Sequence, residues 1–559
     1  MIGRIRPDIS ACYTRAVIDP DELLFESRRS PVLCTRGAVA TSHPLAAQAG
    51  LDILRAGGNA ADAAVATAAA LAVVEPCSTG LGGDCFALFF DAATRNVHAV
   101  NGSGRAALEL APERHRDSSG NLAWDPLGVH TVTVPGAAAG WADTVARHGR
   151  LSLAQVLAPA LELAEHGFAV SPITARYWQL GEERVRAASP HGGEILPAGR
   201  APRPGEVFAN PSLGRVMREL QAGGAEAFYR GWPGEAIVDV VRSLGGALDA
   251  RDLAQHACSF EPPISTTYRG VRVYECAPSG QGLTALLALN ILQGFDVRGM
   301  GRRSAALYHH VVEALRLAFA DARAFVADPT LSDVPVAGLL DETYAARRRA
   351  CIDPRRAGVH PEAGVPERSS DTVYLAVVDG EGSACSFINS NYSGFGTGIV
   401  PRGCGFTLQN RGAGFSAAPG HPNAPAPGKR PYHTIIPALA THASGELMAC
   451  FGVMGGFMQP QGHVQVLLNL VDFGLDAQAA LDEPRIAIQP DPPEGDLVLE
   501  PGAPSALAAL EAMGHRVTLV QGWGRSGLFG RGQLIVRDRE RGVLWAGSDP
   551  RADGCAVGW

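Results

Sequence analysis

The sequence predicts an α/β protein, and three observations carry that prediction. Strand-like and helix-like segments are mixed along 559 residues without a repeat at periods of about 20 to 50 residues. Two consecutive segments near the N-terminus are helical in pattern and dense in Ala, as layers pressed close together require. The apolar run Val373-Tyr374-Leu375-Ala376-Val377-Val378, closed by Asp379-Gly380-Glu381-Gly382, reads as a strand covered on both faces that turns into a hairpin.

Taken in order, residues 42–56 read as a helix capped by Ser42 and stopped by Gly57-Gly58, and residues 59–74 as a second helix capped by Asn59. Residues 86–90 and 97–100 read as hairpin strands joined by the polar stretch 91–96. Residues 153–166 and 305–327 carry helical apolar spacing, and 270–274 reads as a short strand. The clearest internal boundary is the stretch 353–370, rich in Pro, Gly, Arg and Glu, which reads as exposed and mobile. It ends where the apolar strand begins, and Ser383 opens the returning strand.

Composition narrows the function. With 46% apolar residues and a net charge of -8, the chain is globular and not a nucleic-acid binder by charge. Eleven cysteines, an odd number with no CxxC pair, argue against a disulfide framework and for reduced thiols in the cytoplasm. The basic start Met1-Ile2-Gly3-Arg4 is not followed by an apolar core of about 7 to 15 residues, and no run of about 18 apolar residues suggests a membrane span. No cofactor motif and no metal signature stands out. His309 and His310 are adjacent on a helical run, so they point to different faces and do not readily serve one metal.

Thr372 opens the apolar strand directly after the polar boundary. One reading makes it a β-branched strand starter. The other follows from a cut between Asp371 and Thr372, which would leave a free α-amine beside its own hydroxyl, a base and a nucleophile in one residue.

The wider sequence decides between them by resemblance. The run Gly37-Ala38-Val39-Ala40-Thr41-Ser42-His43-Pro44 leads to Gly57-Gly58-Asn59-Ala60-Ala61-Asp62-Ala63-Ala64, then Glu75-Pro76 and Gly80-Leu81-Gly82-Gly83. Later come Gly455-Gly456, Asn469-Leu470-Val471-Asp472-Phe473-Gly474 and Gly547-Ser548-Asp549-Pro550. In this order the blocks resemble the gamma-glutamyltransferase family from about residue 35 to residue 559. The resemblance implies a four-layer αββα sandwich of the N-terminal-nucleophile (Ntn) hydrolase type. It also implies autocleavage into residues 1–371 and 372–559, which stay together as a heterodimer and one co-folded unit.

By the same resemblance Thr372 is the nucleophile, Ser390 the neighbouring hydroxyl in the segment after the hairpin, and Gly455 and Gly456 the oxyanion donors. Asn410 matches a pocket asparagine, while Tyr392 stands where the family often has another. The family arginine that grips the substrate α-carboxylate aligns with Ser103, and Arg105, two residues on, is the candidate replacement. His433 and Thr434 align with a paired serine. The acid that holds the α-ammonium has no counterpart in the stretch Arg411-Gly412-Ala413-Gly414, and Asp84 is its candidate substitute. The stretch 416–431 is short where relatives carry a lid, which implies a more open pocket and water as acceptor.

These matches imply an amidohydrolase acting on small-molecule amides whose acyl group bears a carboxylate and no α-amine, such as glutaryl or oxamate-like amides. The alternatives are a true glutathione hydrolase or transpeptidase, and a non-catalytic binding protein that keeps the fold.

Overall fold

The computed structural model describes residues 29–358, 371–488 and 496–559. Two antiparallel sheets stack face to face. A six-stranded sheet runs in the order Cys555–Gly558, Ala38–Thr41, Asp371–Val378, Ala384–Tyr392, Asp84–Asp91 and Asn96–Gly102. A seven-stranded sheet runs Val32–Cys34, Val543–Ser548, Arg531–Asp538, Leu447–Met454, Ala438–Thr441, Val271–Glu275 and Ile264–Tyr268. Both sheets contain strands from before residue 371 and from after it, so neither part makes a sheet alone.

Period-two alternation sorts the side chains of the apolar strand. Tyr374, Ala376 and Val378 meet Phe86, Leu88, Leu439, Cys450 and Ile535 in the core between the sheets. Val373, Leu375 and Val377 face the other way, onto the helices Pro44–Arg55, Ala60–Val74 and Ala137–His148. The outer face of the seven-stranded sheet packs Val273, Phe451 and Val453 against the helices Gly282–Leu292, Ala305–Phe325 and Met458–Val471. The result is the expected αββα sandwich. The strand is covered on both faces as its unbroken apolar run predicts, in an antiparallel rather than a parallel sheet.

Helix Ala60–Val74 is fully buried and capped by Asn59, whose side chain accepts from the Ala61 and Asp62 N–H groups. Its many Ala residues let a helix, a sheet and further helices approach closely. The preceding helix, Pro44–Arg55, is capped by His43 rather than Ser42, through Nδ1 accepting from the Leu45 N–H at 3.2 Å. Ser42 instead donates its hydroxyl to Glu75. Of the polar boundary, residues 353–358 are described, and 359–370 lie outside the described residues.

Candidate active site

The site lies at one end of the space between the sheets, and strand register assembles it. Ser390 pairs with Asp84 across one ladder, and Asn389 pairs with Val373 across the other. Thr372, Ser390 and Asp84 share the parity of Tyr374, Ile388 and Phe86, so all three turn toward the opposing sheet. A register shift between Asn389 and Tyr392 ends regular pairing there. Tyr392 takes a φ of 76°, a left-handed turn that redirects the chain.

The Thr372 hydroxyl stands 3.0 Å from the Ser390 hydroxyl, and Ser390 Oγ accepts from the Tyr392 N–H at 2.9 Å. Ser390 is thus part of the strand Ala384–Tyr392, not of a segment beyond it, and both hydroxyls are fully buried.

Asp84 is a buried hub. Its Oδ1 accepts from the backbone N–H groups of Gly104 and Gly136 and from Gln409 Nε2, and its Oδ2 accepts from His433 Nε2 at 2.9 Å. Burial works to raise this carboxyl, but the His433 bond, the Arg411 charge and the Gln409 bond outweigh it and hold Asp84 below the ordinary carboxylate range. Desolvation, reinforced by Arg411, lowers His433 to about 3. The pair is therefore a carboxylate and a neutral imidazole. Nε2–H donates to Asp84, and Nδ1 accepts from the Ile435 N–H at 3.4 Å, so both ring nitrogens already have protein partners.

Arg411 is fully buried beside this pair. It donates through Nη1 to Thr434 Oγ1 at 2.9 Å, its Nε lies 3.9 Å from Asp84 Oδ2, and its guanidinium sits 4.3 Å from the centre of the Tyr392 ring. A buried cation thus stands in the stretch 411–414, where the resemblance leads one to expect an acid. Of the bonds to Asp84 given above, Oδ1 accepts three and Oδ2 one.

Arg105 is engaged by protein partners through one nitrogen. Its Nη1 donates to Asp328 Oδ2 and to the Gly428 carbonyl, both at 2.9 Å, and its side chain is 37% exposed. Asp328 also accepts from the Arg430 N–H, so this ion pair braces the approach to His433. Asn410 is likewise occupied. Its Oδ1 accepts from the Ser393 N–H, and its Nδ2 donates to the Pro126 carbonyl and to Ser393 Oγ, each at 3.0 Å. It latches the turn that follows Tyr392.

Gly455 and Gly456 join strand Leu447–Met454 to helix Met458–Val471 with φ of 129° and 58°. Gln281 reaches this turn: its Nε2 donates to the carbonyls of Gly456 at 2.8 Å and Thr434 at 2.6 Å. Neither Gln281 nor Arg411 is among the site residues that the sequence predicts. Each had a local sign. Gly280-Gln281-Gly282 is a polar residue between glycines where a strand gives way to an apolar helix, and Arg411 is a lone charge among small residues.

The stretch 416–431 is tied to itself and to its flanks. Asn423 accepts from the Tyr432 N–H and donates to the Gly414 carbonyl, while Lys429 Nζ donates to the carbonyls of Pro422 and Ala424. On the helix Ala305–Phe325, His309 and Glu313 join His515 to bring three possible metal ligands within 4.8 Å of one another. Their atoms are bonded inward: His309 meets His515 at 2.8 Å and the Asp353 carbonyl at 2.7 Å, and Arg316 pairs with Glu313. That guanidinium supplies the positive charge a metal would bring.

The family model for gamma-glutamyltranspeptidase matches residues 46–559. The chain belongs to that family.

Members and neighbours cover it almost end to end. The glutathione hydrolase-like YwrD proenzyme of Bacillus subtilis (strain 168) is 37% identical over 94% of this chain and 99% of its own length. The oxamate amidohydrolase proenzyme of Klebsiella pneumoniae subsp. pneumoniae is 35% identical over 94% and 99%. A crystal structure of cephalosporin acylase from Bacillus halodurans superposes with a TM-score of 0.88 at 44% identity, covering 97% of this chain and 99% of that one. Within the gamma-glutamyltranspeptidase family, the chain is an Ntn-type amidohydrolase. Among the described residues no helix is long and apolar enough to cross a membrane.

Proposed function

We propose that this amidohydrolase cleaves itself between Asp371 and Thr372 and then hydrolyses small amides whose acyl group carries a carboxylate but no α-ammonium. The observation that supports the acyl preference is Arg411, a buried cation bonded to Thr434 in the loop where an acid would be needed for γ-glutamyl substrates. A buried guanidinium attracts a carboxylate and repels an ammonium, whose unpaired burial costs on the order of several kcal/mol. On this reading Arg411 and Thr434 are the carboxylate grip, and Arg105 braces the approach from its pairing with Asp328.

In self-cleavage the Thr372 hydroxyl attacks the Asp371 carbonyl. The peptide becomes an ester, and water hydrolyses the ester to free the Thr372 amine. An α-amine titrates near pH ~8, so at neutral pH it accepts the hydroxyl proton when Thr372 attacks a substrate amide. The amine product leaves with that proton, and water then releases the acyl group as an acid. Ser390 orients the nucleophile through its 3.0 Å contact, and the backbone N–H groups of Gly455 and Gly456 hold the oxyanion in both tetrahedral intermediates.

The two parts would remain a heterodimer, as the interleaved strands support. The described cysteines are mostly buried, which supports a reducing, cytoplasmic setting. Intact mass beside Thr372→Ala tests the cut: two fragments meeting at Asp371 and Thr372 in the parent and one chain in the variant are expected. Glutaryl- and γ-glutamyl-p-nitroanilide then test the acyl group. A higher kcat/KM for glutaryl is expected, and release of cysteinylglycine from glutathione at a higher kcat/KM would overturn the preference in favour of a glutathione hydrolase.

A further inference from the structure

We infer that Gln281 is a positioning residue that ties the oxyanion turn to the segment recognising the acyl group. The side chain is fully buried at the entrance to helix Gly282–Leu292. Its single Nε2 spans two segments that are distant in sequence, donating to the Thr434 carbonyl at 2.6 Å and to the Gly456 carbonyl at 2.8 Å. Its Oε1 accepts from the Tyr432 hydroxyl at 3.2 Å, and its backbone N–H donates to the His433 carbonyl at 2.9 Å. The His433 N–H in turn donates to the Ser279 carbonyl. One residue thus contacts Tyr432, His433, Thr434 and Gly456.

The consequence lies in what a glycine pair leaves undecided. Gly455 and Gly456 have no side chains to fix their peptide planes, and both sit at positive φ. The bond to the Gly456 carbonyl fixes the plane that follows the proposed donors, and helix Met458–Val471 holds the far side of the turn through the Met458 N–H on the Gly455 carbonyl. Because the same amide hydrogen-bonds Thr434, a shift of the Arg411–Thr434 grip is transmitted to the turn. Oxyanion stabilisation is steeply geometric, and a displacement of about 1 Å can cost about 100-fold in rate.

Gln281 touches no reacting atom in this scheme, and the inference rests on the proposed roles of Gly455-Gly456 and Thr434. The test uses the processed enzyme and two variants, Gln281→Met, which matches the length without a donor, and Gln281→Glu. Gln281→Met should lower kcat about 10- to 100-fold on both a glutaryl and an uncharged butyryl anilide, with KM changed less than kcat. Gln281→Glu places a carboxylate against two carbonyls at neutral pH. Its activity relative to the parent should rise as pH falls and the acid becomes a donor, a response that a merely structural role does not give.

Unchanged kcat in Gln281→Met, or a pH profile for Gln281→Glu parallel to the parent, overturns the inference. Failure of the acyl reading looks different: the parent would show no preference for the glutaryl anilide, while the kcat loss on the butyryl anilide would persist.

Discussion

Thr372 and Ser390 stand with their hydroxyl oxygens 3.0 Å apart on neighbouring strands, 18 residues from each other in sequence. The backbone sets this separation, because Ser390 Oγ is also held by the Tyr392 N–H. Ser390→Ala should therefore leave the fold intact and lower kcat about 10-fold, the effect of losing one hydrogen bond of about 1 to 1.5 kcal/mol. Ser390→Thr should keep most activity, since the hydroxyl remains. Steady-state kinetics of the two variants check this, and equal losses in both would point to packing instead.

Acid sensitivity follows from the Asp84–His433 pair. His433 is lowered to about 3 from an ordinary 6.5, so between those values the unfolded chain binds a proton that the folded chain refuses. Stability therefore falls as pH drops from 6.5 toward 3. Asp84, held below its ordinary value, adds stability at neutral pH that disappears as pH falls through its depressed folded pKa. Both terms act in the same direction. Urea denaturation from pH 7 to 4 should show a shallower loss in His433→Asn than in the parent, and identical slopes would exclude His433 as a contributor.

At Gly452 the two sheets are in close contact. A Cβ there would lie 2.5 Å from the buried Tyr374 ring, whose hydroxyl is tied to Ser386. Gly452→Ala should destabilise by about 1 to 3 kcal/mol through overpacking. Chemical denaturation measures it, and an unchanged midpoint would mean that the sheets part easily.

Gly83 backs directly onto the strand of the second hydroxyl. A Cβ there would come within 2.3 Å of the Ser390 carbonyl oxygen and 2.7 Å of Asn391 Oδ1. Gly83→Ala should displace Ser390 and reduce kcat about 100-fold, by the geometric argument that applies to any misplaced group. Gly338→Ala is the control: nothing lies within 4 Å of its added carbon, and its activity should match the parent.

Local pattern made much of this legible. The apolar run after Thr372, the Asn59 cap and the Ala-rich helix are short-range features, and the structure carries them where the residues predict. The family resemblance supplied the sandwich and brought Thr372 and Ser390 into view. What stayed hidden depends on partners far away in sequence. Arg105 bonds Asp328, 223 residues on, a partner that a two-residue alternation argument does not reach. Ser42 has the chemistry of a helix cap, yet Glu75 takes its hydroxyl and His43 caps instead. Arg411 was noticed only as a missing acid, because its meaning depends on the Thr434 and Tyr392 side chains that the fold brings to it.

The strand order carries a kinetic consequence. Residues before and after 371 share three strand-to-strand seams in the six-stranded sheet and two in the seven-stranded sheet. While the chain is continuous, these pairings form within one molecule, at an effective concentration set by the connecting residues. Once it is cut, they become encounters between two molecules. A processed sample should therefore migrate as one particle under native conditions and separate only in denaturant. Its recovery on dilution should be second order in protein, whereas uncut Thr372→Ala refolds at a rate independent of concentration.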